Sequence, residues 1–236
     1  MPGSVFLQSC FYGLAAVIVA GTTILLYRAS IACGDSPGVA RTNQRRFLVR
    51  ALAWTAAVSL AAFSGAMNPA MRPPVVFVLM LATITTLGVA IARSETGRRF
   101  AHGLSLAWLV GFQAFRLPLE LAMHRAHSEG LMPIQMSYSG QNFDIVTGAT
   151  ALVLGLVMAV REVPRWLVQA WNVLGLVLLA NILGVAMLST PVFSYFGPDR
   201  LNVFVMQMPY TLLPAVMVLA AWAGHLIVFR ALRPAR

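Results

Sequence analysis

Residues 113–127 read QAFRLPLELAMHRAH, a stretch that carries charged side chains on an otherwise apolar segment. On an α-helix, Gln113, Arg116, Glu120, His124 and His127 follow one another at intervals of three or four residues, so they share one face. The remaining faces carry mainly Leu, Ala, Phe and Met. The pattern predicts a helix with one polar stripe, which other helices must enclose if the segment lies in lipid.

The composition of the whole chain indicates a membrane protein. Hydrophobic residues make up 59% of the sequence and charged residues only 10%, whereas soluble domains carry roughly 25% charged residues. Several apolar runs reach the ~20 residues that a helix needs to cross ~30 Å of hydrocarbon. The short alternating segments of a membrane barrel are absent from the sequence. We therefore expect an all-α integral membrane protein that forms a single domain.

Seven segments are predicted to span the membrane, at about residues 5–27, 47–67, 75–92, 101–127, 142–160, 166–189 and 211–232. Of the 17 arginines, 13 fall on the side of the first, third and fifth loops and the C-terminus, and only Arg72, Arg125 and Arg200 fall on the other side. Positively charged loops remain in the cytoplasm. The bias predicts an outside N-terminus and a cytoplasmic C-terminus, in a bacterial-type inner membrane.

The net charge of +10 comes entirely from arginine, because the chain contains no lysine. In a soluble protein this charge would favour nucleic-acid binding. Here the arginines lie in short loops and at helix ends, which is the ordinary orientation signal of a membrane protein. We expect membrane lipids as partners and no nucleic acid; oligomeric state and protein partners stay open.

The polar stripe of the fourth predicted span faces the start of the fifth. The fourth span runs outward and the fifth returns, so Asn142 and Asp144 begin at the depth of the upper stripe. A polar pocket opening to the outside is predicted, lined by Arg116, Glu120, His124, His127 and Asp144 with Gln113 and Asn142. Within it, Arg116 and Glu120 are spaced to form an ion pair along the helix. Pro118 removes one backbone donor between them and tends to kink the helix.

Three functions fit such a pocket. Glu120, His124, His127 and Asp144 could bind a divalent metal such as zinc in a membrane-embedded enzyme acting on a lipid or other hydrophobic substrate. In that enzyme the same carboxylates and His124 supply acid–base groups, and Arg116 stabilises developing negative charge. Glu120, His124 and Asp144 could instead relay protons in a small proton-coupled transporter. The third function is a non-catalytic assembly or accessory protein whose buried Arg–Glu pair is structural.

His225 lies in the seventh predicted span and is expected to be separate from this pocket. Asn172 of the sixth span falls at a similar depth, which predicts one hydrogen bond between the two helices. Small residues such as Gly155 and Gly175 are expected to let helices pack closely.

Overall fold

The computed structural model describes residues 3–67 and 75–233, with the backbone alone at 75–77. Within these residues every regular element is helical, which confirms the predicted all-α class. The α-helices are α1 (Val5–Ala32), α2 (Pro37–Phe63), α3 (Val75–Arg93), α4 (Glu95–Gly103), α5 (Leu106–Phe112), α6 (Arg116–Ser128), α7 (Asp144–Val160), α8 (Arg165–Leu188) and α9 (Leu219–Leu232). The predicted short turn with Arg72 and the C-terminal Arg236 lie outside the described residues.

The apolar helices indicate a multi-pass membrane protein. Five helical segments in the described chain are long and apolar enough to cross a membrane: α1, α2, the run Leu106–Ser128, α8 and the run Leu213–Leu232. The segments Val78–Arg93 and Glu95–Gly103 meet at a bend of 60° and make a sixth candidate if they are counted together. Helix α7 is apolar but has only 17 residues.

The largest departure from the predicted spans lies at residues 95–105. The fourth span was expected to begin near residue 101, but α4 ends at Gly103 and α5 begins at Leu106. Ser94 starts α4, because its hydroxyl accepts a hydrogen bond from Gly97 N. Gly103 lies against the backbone of Ala29 in α1, where a Cβ would collide. The close crossing with α1 thus separates α4 from the helix that follows.

The helices depart from regular α-helical geometry at two places. A 3₁₀ turn over Gln113–Phe115 joins α5 to α6. Pro118 has no N–H to donate to the carbonyl of Ala114. The kink that Pro118 predicts is seen as this 3₁₀ turn, in which the backbone is wound more tightly than in an α-helix. Before α9, residues Leu213–Val218 form a π-helix.

Helix α2 lies at the edge of the bundle. Of its side chains only Ala40 and Val58 are fully buried, although the helix packs along α1. Trp54 connects it to the rest of the protein, because its indole Nε1 donates a 2.8 Å hydrogen bond to the carbonyl of Ala215 in the π-helix. This bond links α2 to the π-helix across a space that the side chains of α2 do not fill.

The two loops at residues 129–143 and 189–212 close one end of the bundle. Phe204 and Tyr210 of the second loop are buried and pack on Phe11 of α1, with ring centroids 6.3 and 5.1 Å from it. Gln135 of the first loop donates a hydrogen bond to Ser189 Oγ at 3.0 Å. These contacts place a folded layer over the start of α7.

Glu129 connects this layer to the N-terminus of α1. Its carboxylate accepts hydrogen bonds from Ser4 N at 2.8 Å and Ser4 Oγ at 2.7 Å, and Arg125 Nε lies 2.7 Å away. The bonds from Ser4, followed by that from Arg125, lower the pKa of Glu129 to about 2 from its ordinary 4.5.

This shift predicts an acid-dependent loss of stability. A carboxyl whose pKa is lowered by folding stabilises the protein above its unfolded pKa, and this contribution disappears as the pH falls from 4.5 toward 2. Thermal unfolding in detergent should therefore show a steeper loss over this interval for the wild type than for Glu129→Gln. Glu162→Gln, at an exposed position after α7, is the control. Parallel curves for the wild type and Glu129→Gln would contradict the assignment.

Candidate functional site

Arg116 and Asp144 form a buried ion pair between the first turns of α6 and α7. Arg116 Nε donates to Asp144 Oδ2 at 2.9 Å, and Arg116 NH2 contacts Asp144 Oδ1. Arg116 is 1% exposed and Asp144 5%. The guanidinium thus binds the carboxylate through one charge-assisted hydrogen bond from Nε and a second ionic contact from NH2. Within the described residues Arg116 forms no ion pair with Glu120, so the expected pairing along the helix is wrong.

His225 of α9 is the second partner of Arg116. Arg116 NH1 lies 2.8 Å from His225 Nε2. Because a guanidinium can only donate, Nε2 must accept, and the proton of a neutral imidazole then sits on Nδ1. Nδ1 lies 2.7 Å from Asn172 Oδ1 in α8, to which it donates. Asn172 Nδ2 donates to the carbonyl of His225 at 3.1 Å.

These contacts confirm the predicted hydrogen bond between Asn172 and His225 and correct the expectation that His225 stands apart. A single histidine in an apolar helix carries no information about which helix it faces. The only signal in the sequence was the depth of His225 in its span, which is similar to the depth of Asn172.

Glu120 joins the pair through Asn142. Asn142 Nδ2 donates to Glu120 Oε2 at 2.6 Å and to the carbonyl of Met136 at 3.0 Å. Its Oδ1 accepts from the backbone N–H of Asp144 at 3.1 Å. Asn142 and Glu120 are 0% and 2% exposed. We call the connected set of Glu120, Asn142, Asp144, Arg116, His225 and Asn172 the buried polar network.

Glycines bring the helices close enough for this network to form. Gly148 of α7 lies against the backbone of Arg116 and Leu117, where a Cβ would collide. Gly175 of α8 leaves the space that the imidazole of His225 occupies. The predicted close packing at Gly155 is also confirmed, because a Cβ there would lie 2.8 Å from Gly111 Cα.

His124 and His127 do not join the network. His124 Nδ1 lies 3.0 Å from Ser137 Oγ and 2.9 Å from Ser139 Oγ, and its ring stacks on Tyr138 with centroids 4.5 Å apart. His127 Nδ1 lies 3.1 Å from the carbonyl of Met132. Both are engaged by the loop at 129–143, which folds back over the end of α6.

The separation of these histidines bears on the predicted metal site. In the described parts of the chain, no group of three or more His, Cys, Asp or Glu side chains is arranged to hold a metal ion. The predicted ligand set of Glu120, His124, His127 and Asp144 therefore finds no support. The predicted outward pocket is also closed in this structure, because Arg116, Glu120, Asn142 and Asp144 are at most 5% exposed.

Gln113 lies against Gly224 of α9, close to a large apolar cavity. Its Nε2 donates to the carbonyl of Ala221 at 3.2 Å, and it occupies the space that a Cβ on Gly224 would need. Gly224 itself lines the cavity. Gln113 Oε1 and Thr147 Oγ1 are both buried, and neither has a hydrogen-bond partner among the described residues. Both oxygens therefore retain hydrogen-bonding capacity inside the bundle.

The buried pair makes a prediction about stability. Asp144→Leu should destabilise the protein by ~3–5 kcal/mol, because it leaves the guanidinium of Arg116 buried without a carboxylate. The double variant Arg116→Leu/Asp144→Leu should recover most of this loss, since no buried charge remains. Thermal unfolding in detergent measures both.

The control is Glu95→Leu, which removes the carboxylate of the exposed Arg98–Glu95 pair and should cost far less stability, because water already solvates both charges. A single Asp144→Leu variant no less stable than Glu95→Leu would show that the buried pair is energetically unimportant.

The chain was also compared with known proteins. No protein-family model, no curated protein and no solved structure matches it.

Proposed function

We propose that the chain crosses the inner membrane seven times, with its N-terminus outside and its C-terminus in the cytoplasm. The support is the distribution of arginine, together with a helix in each of the seven predicted segments. Helix α7, with 17 residues, spans about 26 Å at 1.5 Å per residue. That length is at the short end of the range for a membrane-crossing helix.

We further propose that the protein is a small proton-coupled transporter whose proton site is the buried polar network. Two connected sets of hydrogen bonds carry this proposal. One runs from Glu120 through the side chain of Asn142 to the backbone N–H of Asp144, and the other runs from the Asp144 carboxylate through Arg116 to His225. Ionisable groups inside a membrane domain are costly and commonly mark ion or proton pathways.

The charges in the network explain how a proton could act. Arg116 supplies one positive charge, and Glu120 and Asp144 supply two negative charges if both are ionised. One added proton brings the enclosed charge to zero, and a net charge in a low-dielectric interior is costly. Proton uptake would therefore favour this closed arrangement, and proton release would favour one in which a carboxylate reaches water.

The closed state of the network also favours transport over catalysis at Arg116. An enzyme acting with Arg116, Glu120 and Asp144 needs these side chains to be accessible to a substrate, whereas they are at most 5% exposed. A transporter requires such a closed state as one of its two conformations. The identity of the cargo is left unassigned.

Proton flux through the reconstituted protein tests the proposal. Vesicles containing the wild type should dissipate an imposed pH gradient faster than protein-free vesicles, as reported by a trapped pH-sensitive dye. Glu120→Gln should reduce the rate to that of protein-free vesicles, because glutamine can still accept from Asn142 but cannot carry the proton. Glu162→Gln, at an exposed carboxylate, should behave like the wild type.

The proposal fails if Glu120→Gln retains the wild-type flux, or if the wild type adds none. Circular dichroism and size-exclusion chromatography of each variant establish that its fold persists. The accessory-protein hypothesis expects no flux and a stability effect alone.

A membrane-embedded enzyme is the second candidate, supported by His124. Its Nδ1 lies within hydrogen-bond distance of the hydroxyl of Ser139, an exposed residue. A histidine next to a serine hydroxyl can act as a general base for a nucleophile. If this pair is active, a serine-directed fluorophosphonate should label Ser139 in the wild type and leave His124→Ala unlabelled. Equal labelling of both, or none, would count against the enzyme.

A further inference from the structure

A large apolar cavity adjoins the buried polar network at Gly224, the residue before His225. Its volume is 620 Å³, within the range of ~300–1,000 Å³ that ligand sites occupy. Its walls come from α1, α2, α3, α4, α5, the π-helix and α9, and include Leu25, Phe47, Trp54, Ile91, Trp108 and Phe112. Protein interiors are normally packed without spaces of this size. The cavity therefore suits an apolar ligand supplied from outside the chain.

Arginines of α2 stand at one end of this cavity. Arg50 lines the cavity and also a neighbouring surface depression, whose other residues include Thr42, Arg45 and Arg46. All three arginines are exposed, and none of them has an ion-pair partner among the described residues. By contrast, Arg99 of the adjacent α4 is paired with Asp35 at 2.6 Å. A concentration of uncompensated positive charge thus adjoins an apolar space.

The dimensions of the cavity match one leaflet of a bilayer. Along the last helical segment its wall runs from Ala215 to Ile227, about 18 Å at 1.5 Å per residue. Half of a hydrocarbon core of ~30 Å is ~15 Å. On the proposed seven-span path, Arg50 and the other cavity residues near it, such as Ser94, lie at the level of the arginine-rich loops. An acyl chain entering there would end near Ala215.

An acyl chain could enter the cavity past helix α2. The helix is mostly exposed and forms one wall of the cavity. Its Trp54 crosses to the π-helical carbonyl of Ala215, at the inner end of the space. Since α2 packs mainly on α1, its other side borders the lipid. A bilayer lipid can reach the cavity sideways without passing through water.

We propose that this cavity binds one acyl chain of an anionic phospholipid from the surrounding bilayer, with the phosphate held by Arg50, Arg45 and Arg46. Guanidinium groups bind phosphate oxygens with two parallel hydrogen bonds, and basic pockets between membrane helices bind anionic headgroups. The charge at the rim selects an anionic amphiphile, and the apolar walls select its chain. This inference does not rest on the proposed proton transport.

Native mass spectrometry of the delipidated full-length protein tests the proposal. The probes are dioleoyl phosphatidylglycerol, dioleoyl phosphatidylcholine and oleate, each added at equal concentration in the same detergent. The wild type should retain one phosphatidylglycerol in preference to the other two. Arg50→Gln should weaken this binding by roughly tenfold or more, since a charge-assisted hydrogen bond is lost. Arg41→Gln, an exposed arginine of the same helix that lines neither space, should bind like the wild type.

A second pair of variants tests whether the chain occupies the cavity. Ala51→Phe fills part of the space, because Ala51 lines it, whereas Ala56 of the same helix is exposed and does not. Phosphatidylglycerol binding should be lost in Ala51→Phe and kept in Ala56→Phe. If Ala51→Phe does not fold, Ala90→Phe on α3 serves the same purpose, with Ala82→Phe as its exposed control.

Three results would overturn the proposal. Equal retention of phosphatidylcholine would show that the arginines do not select the headgroup. Preferred retention of oleate would assign the site to a free fatty acid. Unchanged binding in both cavity-filling variants would place the lipid on the outer surface of the bundle.

Discussion

The buried guanidinium of Arg116 is the constraint on which the arrangement of the helices depends. A charged side chain in a membrane domain costs ~2.5–3.5 kcal/mol even on the most lenient scale, so it must be surrounded by acceptors. Asp144 and His225 provide them from positions 28 and 109 residues further along the chain. Because Arg116 of α6 must contact both acceptors, these two contacts fix the positions of α7 and α9 relative to α6. Gly148 and Gly175 are needed for this arrangement. A larger residue at 148 would push the backbones of α6 and α7 apart, and one at 175 would collide with the imidazole of His225.

Some of this arrangement could be predicted from the sequence, because it depends on local regularities. Hydropathy identified the helices, and helical periodicity put Arg116 and Glu120 on one face. The expectation that Asn142 and Asp144 meet them depended only on two neighbouring helices that run in opposite directions. The hydrogen bonds through Asn142 and the ion pair with Asp144 agree with it. Which acid would pair with Arg116 could not be read from spacing, because the carboxylates of Glu120 and Asp144 both lie within reach.

The predictions that failed involve contacts decided by packing between distant segments. His225 was assigned a separate place because periodicity relates residues only within a helix. His124 and His127 were grouped with Glu120 by the same rule, although both imidazoles contact a loop in the structure. There the loop at 129–143 supplies hydroxyl and carbonyl partners for both imidazoles. The conformation of a loop follows no sequence periodicity, so the sequence could not indicate that His124 and His127 contact the loop and not the network.

The polar network and the apolar cavity meet at two consecutive residues of α9. Gly224 lines the cavity, and His225 accepts from Arg116 inside the network. Helix α9 directly follows the π-helix Leu213–Val218, and π-helical geometry is rare and often found at functional sites. Trp54 holds that segment through Ala215, next to the proposed lipid chain. A shift of α9 that altered the bond between His225 and Arg116 would also move the cavity wall at Gly224.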